Sequence, residues 1–409
     1  MNILINAYAV SPTWGSEPDM GWNWISNLAA YANLYIITEG EWSNETDQAV
    51  NVHPHKEHLH FYYLPVSEKV RNMCWNQGDW RFYYYYKKWQ KRALAKAQEI
   101  IQEVEIDVIH QLNMVGFREP GYMWELGKPL VWGPIGGLLS IPYRFLENAS
   151  WRLRVQLYLK GIISTSQLIW SSRINRAFTS AQAIIAATPE TQKRCLQYKH
   201  RKTVLIPETG CYDYMTVVQD KRQRGKFNIL WVGRFIYTKR LDIALRAIAH
   251  IKDLPNLCFH VVGTGNDVAT KQYQHIAQEL GISDICEWHG KVENHKVHEM
   301  MREEDVFFFT SIAEATSTVI PEAINNGLPI VCFDTCGFGP LVTDKIGCKV
   351  QLSTPGQSIL DFAGKLRYLY NNKQALYEMS LNCSNALKSL LWEDKARRVF
   401  EIYKQVSIG

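Results

Sequence analysis

The sequence predicts an α/β protein with two parallel β-sheets, each covered by helices. Short apolar runs alternate with longer amphipathic stretches along the chain, as in successive βαβ units. This rhythm occurs twice, before and after a polar stretch at residues 208–226 that suits a linker. The length of 409 residues also exceeds what one ordinary core holds. Two Rossmann-like domains of about 200 residues each are therefore expected.

Six strands are predicted in the first half, each a short run rich in aliphatic or aromatic residues. They are NILINAY, ANLYIIT, HLHFYYL, DVIHQLN, PLVWGPI and AIIAAT. A long amphipathic stretch, residues 80–104, predicts a helix before the fourth of them. Its run of four tyrosines covers most of a helix circumference, which favours core packing and a cleft wall over a stacking surface for nucleic acid. No nucleic-acid partner is expected.

The second half repeats the pattern with five predicted strands separated by helical stretches. They are FNILWVG, CFHVVGTG, CEWHGKV, DVFFFTS and PIVCFD. Two such domains facing each other leave a cleft, where ligands usually bind.

Charge is unevenly distributed, although the formal net charge is only +5. Residues 151–202 contain ten Lys or Arg and a single acid, Glu190. This basic segment is either a solvated helical face or a contact for anionic lipid or a phosphorylated acceptor, and the sequence leaves both open.

Cysteine usage and hydropathy indicate the compartment. Nine scattered cysteines without a CxxC pair favour a reducing environment. The first residues, MNILINAYAVS, lack a basic n-region and favour a strand over a signal peptide, and no apolar run reaches the roughly 18 residues of a membrane span. We expect a cytoplasmic protein, peripheral at the inner face of the plasma membrane if the basic segment binds lipid.

Charged side chains follow two predicted strands of the second half. Gly233 and Arg234 end one strand and Lys239 follows five residues later, which suits a diphosphate. Glu314 and Glu322 lie eight residues apart after another strand, and ionised carboxylates accept hydrogen bonds from vicinal hydroxyls. Ligands bind at this edge of open parallel sheets. The alternative is a pair of surface cations, a helix N-terminal acid and an exposed helical glutamate.

Several motifs in this order resemble the retaining glycosyltransferases of family four. They are VGRFIYTK, VVGTGN, WHGKV, DVFFFTSIAEATSTVIPEAINNGLPIV and LLWEDKARRVFEIY. The resemblance covers nearly all of the second half and, more weakly, the first. It implies the GT-B fold, in which two Rossmann-like domains face each other across a cleft and the C-terminal helix crosses back. The domains would be 1–210, binding acceptor with 392–409 packed on it, and 221–391, binding nucleotide-sugar.

The resemblance also implies roles for individual residues. Arg234 and Lys239 would stabilise the leaving diphosphate, Glu314 would bind hydroxyls of the transferred sugar, and Glu322 would bind the ribose. His110, at the end of DVIH, would lie near the anomeric carbon and take part in catalysis.

Further donor contacts are implied in loops and at the helix after Glu314. They are Gly15, Ser16, Gly233, Gly263, Lys291, Val292, Ser317, Thr318 and Val319. The chain departs from the family at Ala315, Thr316 and Ser317, where Gly-Phe-Gly is frequent, and at 336–340, which lacks the family's acid. No metal site is predicted, because there is no Asp-x-Asp pair and HPHKEHLH at 53–60 is explained by a loop entering a strand.

We therefore expect a retaining, metal-independent hexosyltransferase acting in surface polysaccharide assembly. The donor would be a nucleotide-sugar, and a UDP-sugar is favoured, although the same fold also binds GDP- and ADP-sugars. No separate cofactor is expected. The acceptor would be a saccharide or polyprenyl-linked saccharide, with hydroxyls oriented by Glu17 and Asp19. The alternatives are a nucleotide-sugar 2-epimerase of the same fold and a non-catalytic saccharide-binding protein. A dehydrogenase is disfavoured, because VVGTGN lacks the third glycine and a following acidic strand end.

Overall fold

The computed structural model describes residues 1–75, 79–138, 141–146, 149–213, 217–314 and 316–408. Ala315, one of the departures named above, lies outside them. The chain forms two compact units. The first comprises Met1–Leu138, Tyr158–Gly210 and Trp392–Gly409, and the second comprises Leu139–Leu157 and Cys211–Leu391.

The described residues of the first unit form a seven-stranded parallel sheet. Its strands are β1 (Asn2–Ala7), β2 (Asn33–Thr38), β3 (Leu59–Tyr63), β4 (Val108–Asn113), β5 (Leu130–Ile135), β6 (Ala183–Ala186) and β7 (Val204–Leu205). Their order is β3-β2-β1-β4-β5-β6-β7. The helices that precede the second sheet in the chain are α1 (Glu17–Leu28), α2 (Ser43–Asn51), α3 (Glu68–Trp75), α4 (Phe82–Glu103), α5 (Trp151–Trp170), α6 (Ser172–Ser180) and α7 (Pro189–Lys199).

A six-stranded parallel sheet forms the described part of the second unit, in the order β10-β9-β8-β11-β12-β13. Its strands are β8 (Phe227–Val232), β9 (Leu257–Val262), β10 (Cys286–Gly290), β11 (Val306–Phe309), β12 (Ile330–Phe333) and β13 (Gly347–Val350). Its helices are α8 (Leu241–Ala249), α9 (Asp267–Glu279), α10 (Asn294–Glu303), α11 (Val319–Asn325), α12 (Pro355–Asn371) and α13 (Lys373–Leu387).

The last helix, α14 (Trp392–Ile408), completes the first unit. Its apolar face buries Trp392, Val399 and Tyr403 in the core that also holds Trp24 of α1. The rings of Trp24 and Trp392 meet edge to face with centroids 5.6 Å apart. Aromatic pairs of this kind contribute beyond the area they bury, so α14 is an integral layer of the first unit.

Residues 141–146 and 149–157 pack with the second unit, although the sequence placed them within the first domain. The ring of buried Phe145 meets that of Phe333 edge to face at 5.6 Å. The backbone carbonyl of Phe145 also accepts hydrogen bonds from Tyr237 and, at 3.2 Å, from Arg240. No apolar pattern in the sequence distinguishes this stretch, because its attachment depends on these tertiary contacts.

The predicted α/β class with two Rossmann-like parallel sheets is confirmed. All eleven predicted strands are present, and the helix predicted at 80–104 is α4. The sequence missed β7 and β13. β7 has only two residues, and β13 is the short run GCKV, which alternates too little to be recognised.

Candidate functional site

Two glycines lie at the carboxyl ends of β8 and β9. Gly263 has a φ of +134°, and a Cβ there would lie 1.8 Å from the carbonyl oxygen of Gly233. The amide of Gly263 donates to the carbonyl of Gly290 at 2.8 Å. Glycine is therefore required at position 263 by the close approach of neighbouring strand ends. Ligand contacts of Gly233 and Gly263 stay predictions.

Lys239 and Glu314 form an ion pair at this edge of the sheet. Both side chains are mostly buried, with 15% and 13% of their surface exposed. The hydroxyl of Ser311 donates to Oε1 of Glu314 at 2.8 Å, and the Lys239 ammonium lies 5.0 Å from the ring centre of Phe309. Lys239, predicted to bind the diphosphate, and Glu314, predicted to bind the transferred sugar, are thus in contact with each other.

Hydrogen bonds fix the loops that carry this pair. The hydroxyl of Thr310 donates to the carbonyl of Lys239 at 2.8 Å, and the amide of Ile312 donates to the carbonyl of Thr238 at 2.9 Å. The amide of Glu314 donates to Sγ of Cys336 at 3.3 Å. The sequence analysis missed Thr310, Ser311 and Cys336. The signal in the sequence was the pair of hydroxyl side chains, Thr310 and Ser311, directly after the buried strand β11.

Arg234 and Arg240 are close in sequence but differ in environment. Arg234 is exposed, and in the part of the chain that the structure describes its guanidinium has no hydrogen bond or ion pair. Arg240 is 1% exposed and binds both carboxylate oxygens of Asp242 at 2.9 and 2.7 Å. Arg240 is therefore structural, whereas Arg234 can turn toward an anion.

Glu322 is partly buried on α11, which excludes the alternative of an exposed helical glutamate. Burial raises the pKa of its carboxyl, and a hydrogen bond from the side chain of Asn294 opposes that shift. Asn294 opens α10 and follows Lys291 and Val292 by two or three residues. The structure thus brings Glu322 to the start of α10, close in sequence to Lys291 and Val292, whose donor contacts stay predictions.

The helix after Glu314, where donor contacts are predicted, is short. α11 has seven residues, and Thr318 at its N-cap makes no side-chain capping bond. Ser317 is buried and Val319 partly buried. A helix of two turns offers an anion little more than the unpaired backbone amides of its first turn. The positive charge at this site therefore comes mainly from the side chains of Arg234 and Lys239. Donor contacts of Ser317, Thr318 and Val319 stay predictions.

In the first unit, the loop before α1 leads to a partly buried carboxylate. Gly15 and Ser16 are exposed, and Ser16 has a φ of 67°. Oε1 of Glu17 accepts a hydrogen bond from the amide of Val115 at 2.6 Å, and burial raises the pKa of Glu17 to about 7. The donor contacts predicted for Gly15 and Ser16 stay predictions.

Glu17 lines a pocket of about 250 Å³ within the first unit. Tyr83, Tyr86, Arg118 and Glu119 also line it. Carboxylates, a guanidinium and tyrosine rings around one cavity are typical of sites that bind saccharide hydroxyls and ring faces. The sequence indicated this candidate binding site through Glu17 and through the tyrosines of α4, which were predicted to form a cleft wall.

His110 is fully buried in the middle of β4. Its Nε2 lies 2.6 Å from the carbonyl oxygen of Gly133, and its Nδ1 lies 2.6 Å from the hydroxyl of Tyr403. A carbonyl only accepts, so Nε2 carries the proton and Nδ1 accepts from Tyr403. Burial lowers the pKa of His110 to about 4, so it is neutral. In this structure His110 links β4 and β5 to α14, and its predicted catalytic role stays a prediction.

Comparison with known proteins defines the class to which this fold and site belong. Residues 218–389 match the family model "Glycosyl transferases group 1". This part of the second unit is therefore similar to the glycosyl transferases group 1 family, and the chain has the two Rossmann-like parallel sheets of a GT-B fold.

Individual relatives are distant. The chain is similar to the UDP-N-acetylglucosamine–peptide N-acetylglucosaminyltransferase GtfA subunit of Streptococcus pneumoniae, with 22% identity over 188 residues, 43% of this chain and 36% of the relative. It is also similar to the D-inositol 3-phosphate glycosyltransferase of Xylanimonas cellulosilytica, with 23% identity over 179 residues, 44% of this chain and 42% of the relative. The chain thus spans less than half the length of these relatives.

A solved structure supports the fold over the whole chain. The Anabaena protein HepE in complex with UDP superposes with a TM-score of 0.61 at 16% identity, covering 99% of this chain and 100% of HepE. At that identity the likeness shows the fold alone. Among the described helices, none has the length and apolar character needed to cross a bilayer.

Proposed function

We propose that the protein is a retaining glycosyltransferase that transfers a hexosyl group from a nucleotide-diphosphate sugar. The observation that carries this proposal is the Lys239–Glu314 pair, with Arg234 five residues before Lys239, at the carboxyl edge of a sheet in the region that matches the glycosyl transferases group 1 family. A cation and a carboxylate side by side match a ligand that joins a diphosphate to a polyhydroxyl ring.

Charge develops on the diphosphate as the bond between the anomeric carbon and the phosphate oxygen breaks. Lys239 and Arg234 would stabilise that charge in a partly buried site. Two side-chain cations supply this stabilisation without a divalent ion, so we propose metal-independent transfer. Glu314 already accepts hydrogen bonds from Ser311 and Lys239. It would orient sugar hydroxyls and not serve as a nucleophile.

Retention then follows from attack on the face that the leaving group vacates. The acceptor oxygen forms a bond to the anomeric carbon, the diphosphate departs with the bonding electrons, and the acceptor proton passes to a departing phosphate oxygen. The favoured donor is a UDP-sugar. This preference is supported by the UDP in the HepE complex and by the UDP-N-acetylglucosamine in the name of the GtfA relative.

The pocket around Glu17 supports a saccharide acceptor. With a pKa of about 7, Glu17 is partly ionised at neutral pH and can accept a hydrogen bond from an acceptor hydroxyl. Arg118 and Glu119 supply further polar groups around the same cavity. We propose that this pocket binds the end of a growing saccharide during assembly of a surface polysaccharide.

A donor assay tests the proposed reaction. The protein is incubated with UDP-, GDP- and ADP-sugars, with and without saccharide and polyprenyl-linked acceptors, and nucleoside diphosphate release is measured. We expect release that depends on acceptor, is fastest with a UDP-sugar and gives a product of retained anomeric configuration. Slow diphosphate release without acceptor, with inversion at C2 of the sugar, would instead establish an epimerase. Donor binding without turnover under any condition would establish a binding protein.

The surface of α5 supports a lipid-linked acceptor. Large apolar side chains recur at helical spacing on one exposed face of this helix, which contains no acidic residue. They are Trp151, Val155, Tyr158, Leu159, Ile162 and Ile163, between 46% and 71% exposed. Arg152, Arg154 and Lys160 lie on the same helix. An apolar stripe with basic neighbours is typical of helices that lie in the interface of an anionic bilayer. We propose that α5 holds the protein at such a membrane.

Replacing Ile162 and Ile163 with serine is expected to weaken binding to anionic vesicles at least tenfold. Each side chain contributes about 1–2 kcal/mol on leaving water, and both are exposed, so folding should be unaffected. Co-sedimentation with vesicles of phosphatidylglycerol and phosphatidylcholine measures the effect. Leu360→Ser, on exposed Leu360 of α12, is the matched control and should bind as wild type. Equal binding of the wild type and the double variant would contradict the proposal.

A further inference from the structure

One face of the second sheet carries a group of metal-ligating side chains near its edge strand. Cys258 and His260 are two residues apart on β9, so they point to the same face, as do Glu287 and His289 on β10. The strand register pairs Glu287 with His260. We call Cys258, His260, Glu287 and His289 the β9–β10 cluster.

The ligand atoms of the β9–β10 cluster lie close together. Sγ of Cys258 is 3.3 Å from Oε1 of Glu287, and Nδ1 of His260 is 3.5 Å from Oε2 of Glu287. Nδ1 of His260 is also 2.9 Å from Nε2 of His289. Zinc bonds of about 2.0–2.3 Å place the ligand atoms of a tetrahedral site roughly 3.3–3.8 Å apart. The ligand atoms of Cys258, His260 and Glu287 all lie within 4.8 Å of one another. Rotation of the exposed His289 side chain, which already meets His260, would complete a tetrahedral set.

A buried carboxylate beside the cluster provides a second, independent observation. Glu304 is 4% exposed, and its Oε1 lies 3.8 Å from Nε2 of His260. Its Oε2 is buried and, among the residues that the structure describes, has no hydrogen-bond partner. A buried unpaired carboxylate oxygen is costly. Histidines that bind a metal usually donate their other ring N–H to a carboxylate, and Glu304 is placed to accept from His260.

We propose that Cys258, His260, Glu287 and His289 bind a divalent transition-metal ion, with Glu304 orienting His260. A thiolate, two imidazoles and a carboxylate match Zn²⁺ best, because Ca²⁺ and Mg²⁺ take oxygen ligands. On binding, the Cys258 thiol transfers its proton to solvent and the sulfur forms a bond to the metal. Bound through Nδ1, His260 keeps its Nε2 proton and directs it toward Glu304.

The proposed ion has a structural role distinct from the proposed transfer reaction. Cys258 is the second residue of β9 and Glu304 precedes β11. Glu287 is likewise the second residue of β10, and His260 and His289 are the fourth residues of β9 and β10. The cluster thus lies along the two strands, whereas Gly233, Gly263 and Glu314 follow strand ends. Four protein ligands leave no open coordination position for a substrate. The ion would attach the edge strand β10 to β9.

Cobalt titration of the purified full chain, after chelator treatment and dialysis, tests the site. Co²⁺ bound at the cluster should give one equivalent of tight binding, tetrahedral d–d bands and a thiolate-to-cobalt charge-transfer band, all abolished by excess Zn²⁺. Cys258→Ser should lose the charge-transfer band, and His289→Ala should change the d–d bands. Glu304→Gln should keep the bands but bind about 10–100-fold more weakly. Zn²⁺ should raise the Tm of the wild type but not of Cys258→Ser.

Two control variants distinguish this cluster from other thiols and histidines. Cys74→Ser removes a partly exposed thiol elsewhere. His55→Ala disrupts a second close group among the described residues, His55, Glu57 and His58. Both controls should bind Co²⁺ as wild type does. Wild-type protein without a charge-transfer band, or a band that survives in Cys258→Ser or disappears in Cys74→Ser, overturns the proposal. Because His289→Ala alters the same spectrum, a poorly folded Cys258→Ser would still leave a decisive variant.

Discussion

Replacing Lys239 with alanine is expected to lower turnover of the nucleotide-sugar by about 10²–10³-fold. The Lys239 ammonium is mostly buried and paired with Glu314, so it would meet the diphosphate where water screens it little. Removing one preorganised group that stabilises developing charge costs about 3–4 kcal/mol. Arg234→Ala should also lower turnover, but by a smaller factor, because Arg234 is exposed and water screens its charge. Steady-state kinetics with saturating acceptor measures both effects.

The matched control for these two variants is Lys271→Ala. Lys271 is an exposed lysine on α9 in the same unit, so its removal changes the net charge equally and should leave turnover within a factor of two. Circular dichroism and thermal unfolding establish that each variant is folded. Wild-type turnover in both Lys239→Ala and Arg234→Ala would show that the donor diphosphate binds elsewhere.

Glu322→Ala and Glu314→Ala should separate two contacts with the donor. Glu322→Ala is expected to weaken binding of the bare nucleoside diphosphate tenfold or more, because a charge-assisted hydrogen bond to the ribose contributes about 1.5–3 kcal/mol. Glu314→Ala should leave that binding equal or make it tighter, because Lys239 loses a competing carboxylate. Catalysis should nevertheless fall in Glu314→Ala, because the transferred sugar loses its hydrogen-bond acceptor.

Calorimetric titration of UDP, GDP and ADP into each variant measures these affinities, and the preferred base follows from the same data. Glu299→Ala, which removes an exposed carboxylate from α10, is the control and should bind as wild type. Equal weakening in Glu314→Ala and Glu322→Ala, or no change in either, would mean that these carboxylates serve the protein's own packing and not sugar-nucleotide recognition.

The sequence predicted the strands well because each buried parallel strand is a short continuous apolar run. FNILWV and VFFF could be recognised without any knowledge of their neighbours. The attachment of Phe145 and its described neighbours to the second unit could not be predicted in this way. It depends on Phe145 meeting Phe333 and Arg240, which lie about 100–190 residues away in sequence and leave no local periodic signal.

The sequence indicated which residues form the candidate site, but not how their side chains are arranged. Residue type and strand-end position indicated Lys239 and Glu314, yet their direct pairing depends on hydrogen bonds from Thr310 and Ser311. For His110, the sequence indicated a role but not the contacts of the side chain. Its place in the pattern indicated a site role, but only the structure shows the hydroxyl of Tyr403, 293 residues away, on its other nitrogen.

The position of α14 has a consequence for how the chain matures during translation. Trp392, Val399 and Tyr403 belong to the core of the first unit, yet the ribosome adds them only after residues 211–391. At about 5–20 residues per second, synthesis of that intervening stretch takes roughly 10–40 s. Throughout this interval the surface around Trp24 and His110 must remain without its final layer. The first unit therefore closes only after the second has been synthesised, and until α14 emerges the apolar surface around Trp24 lacks its last layer.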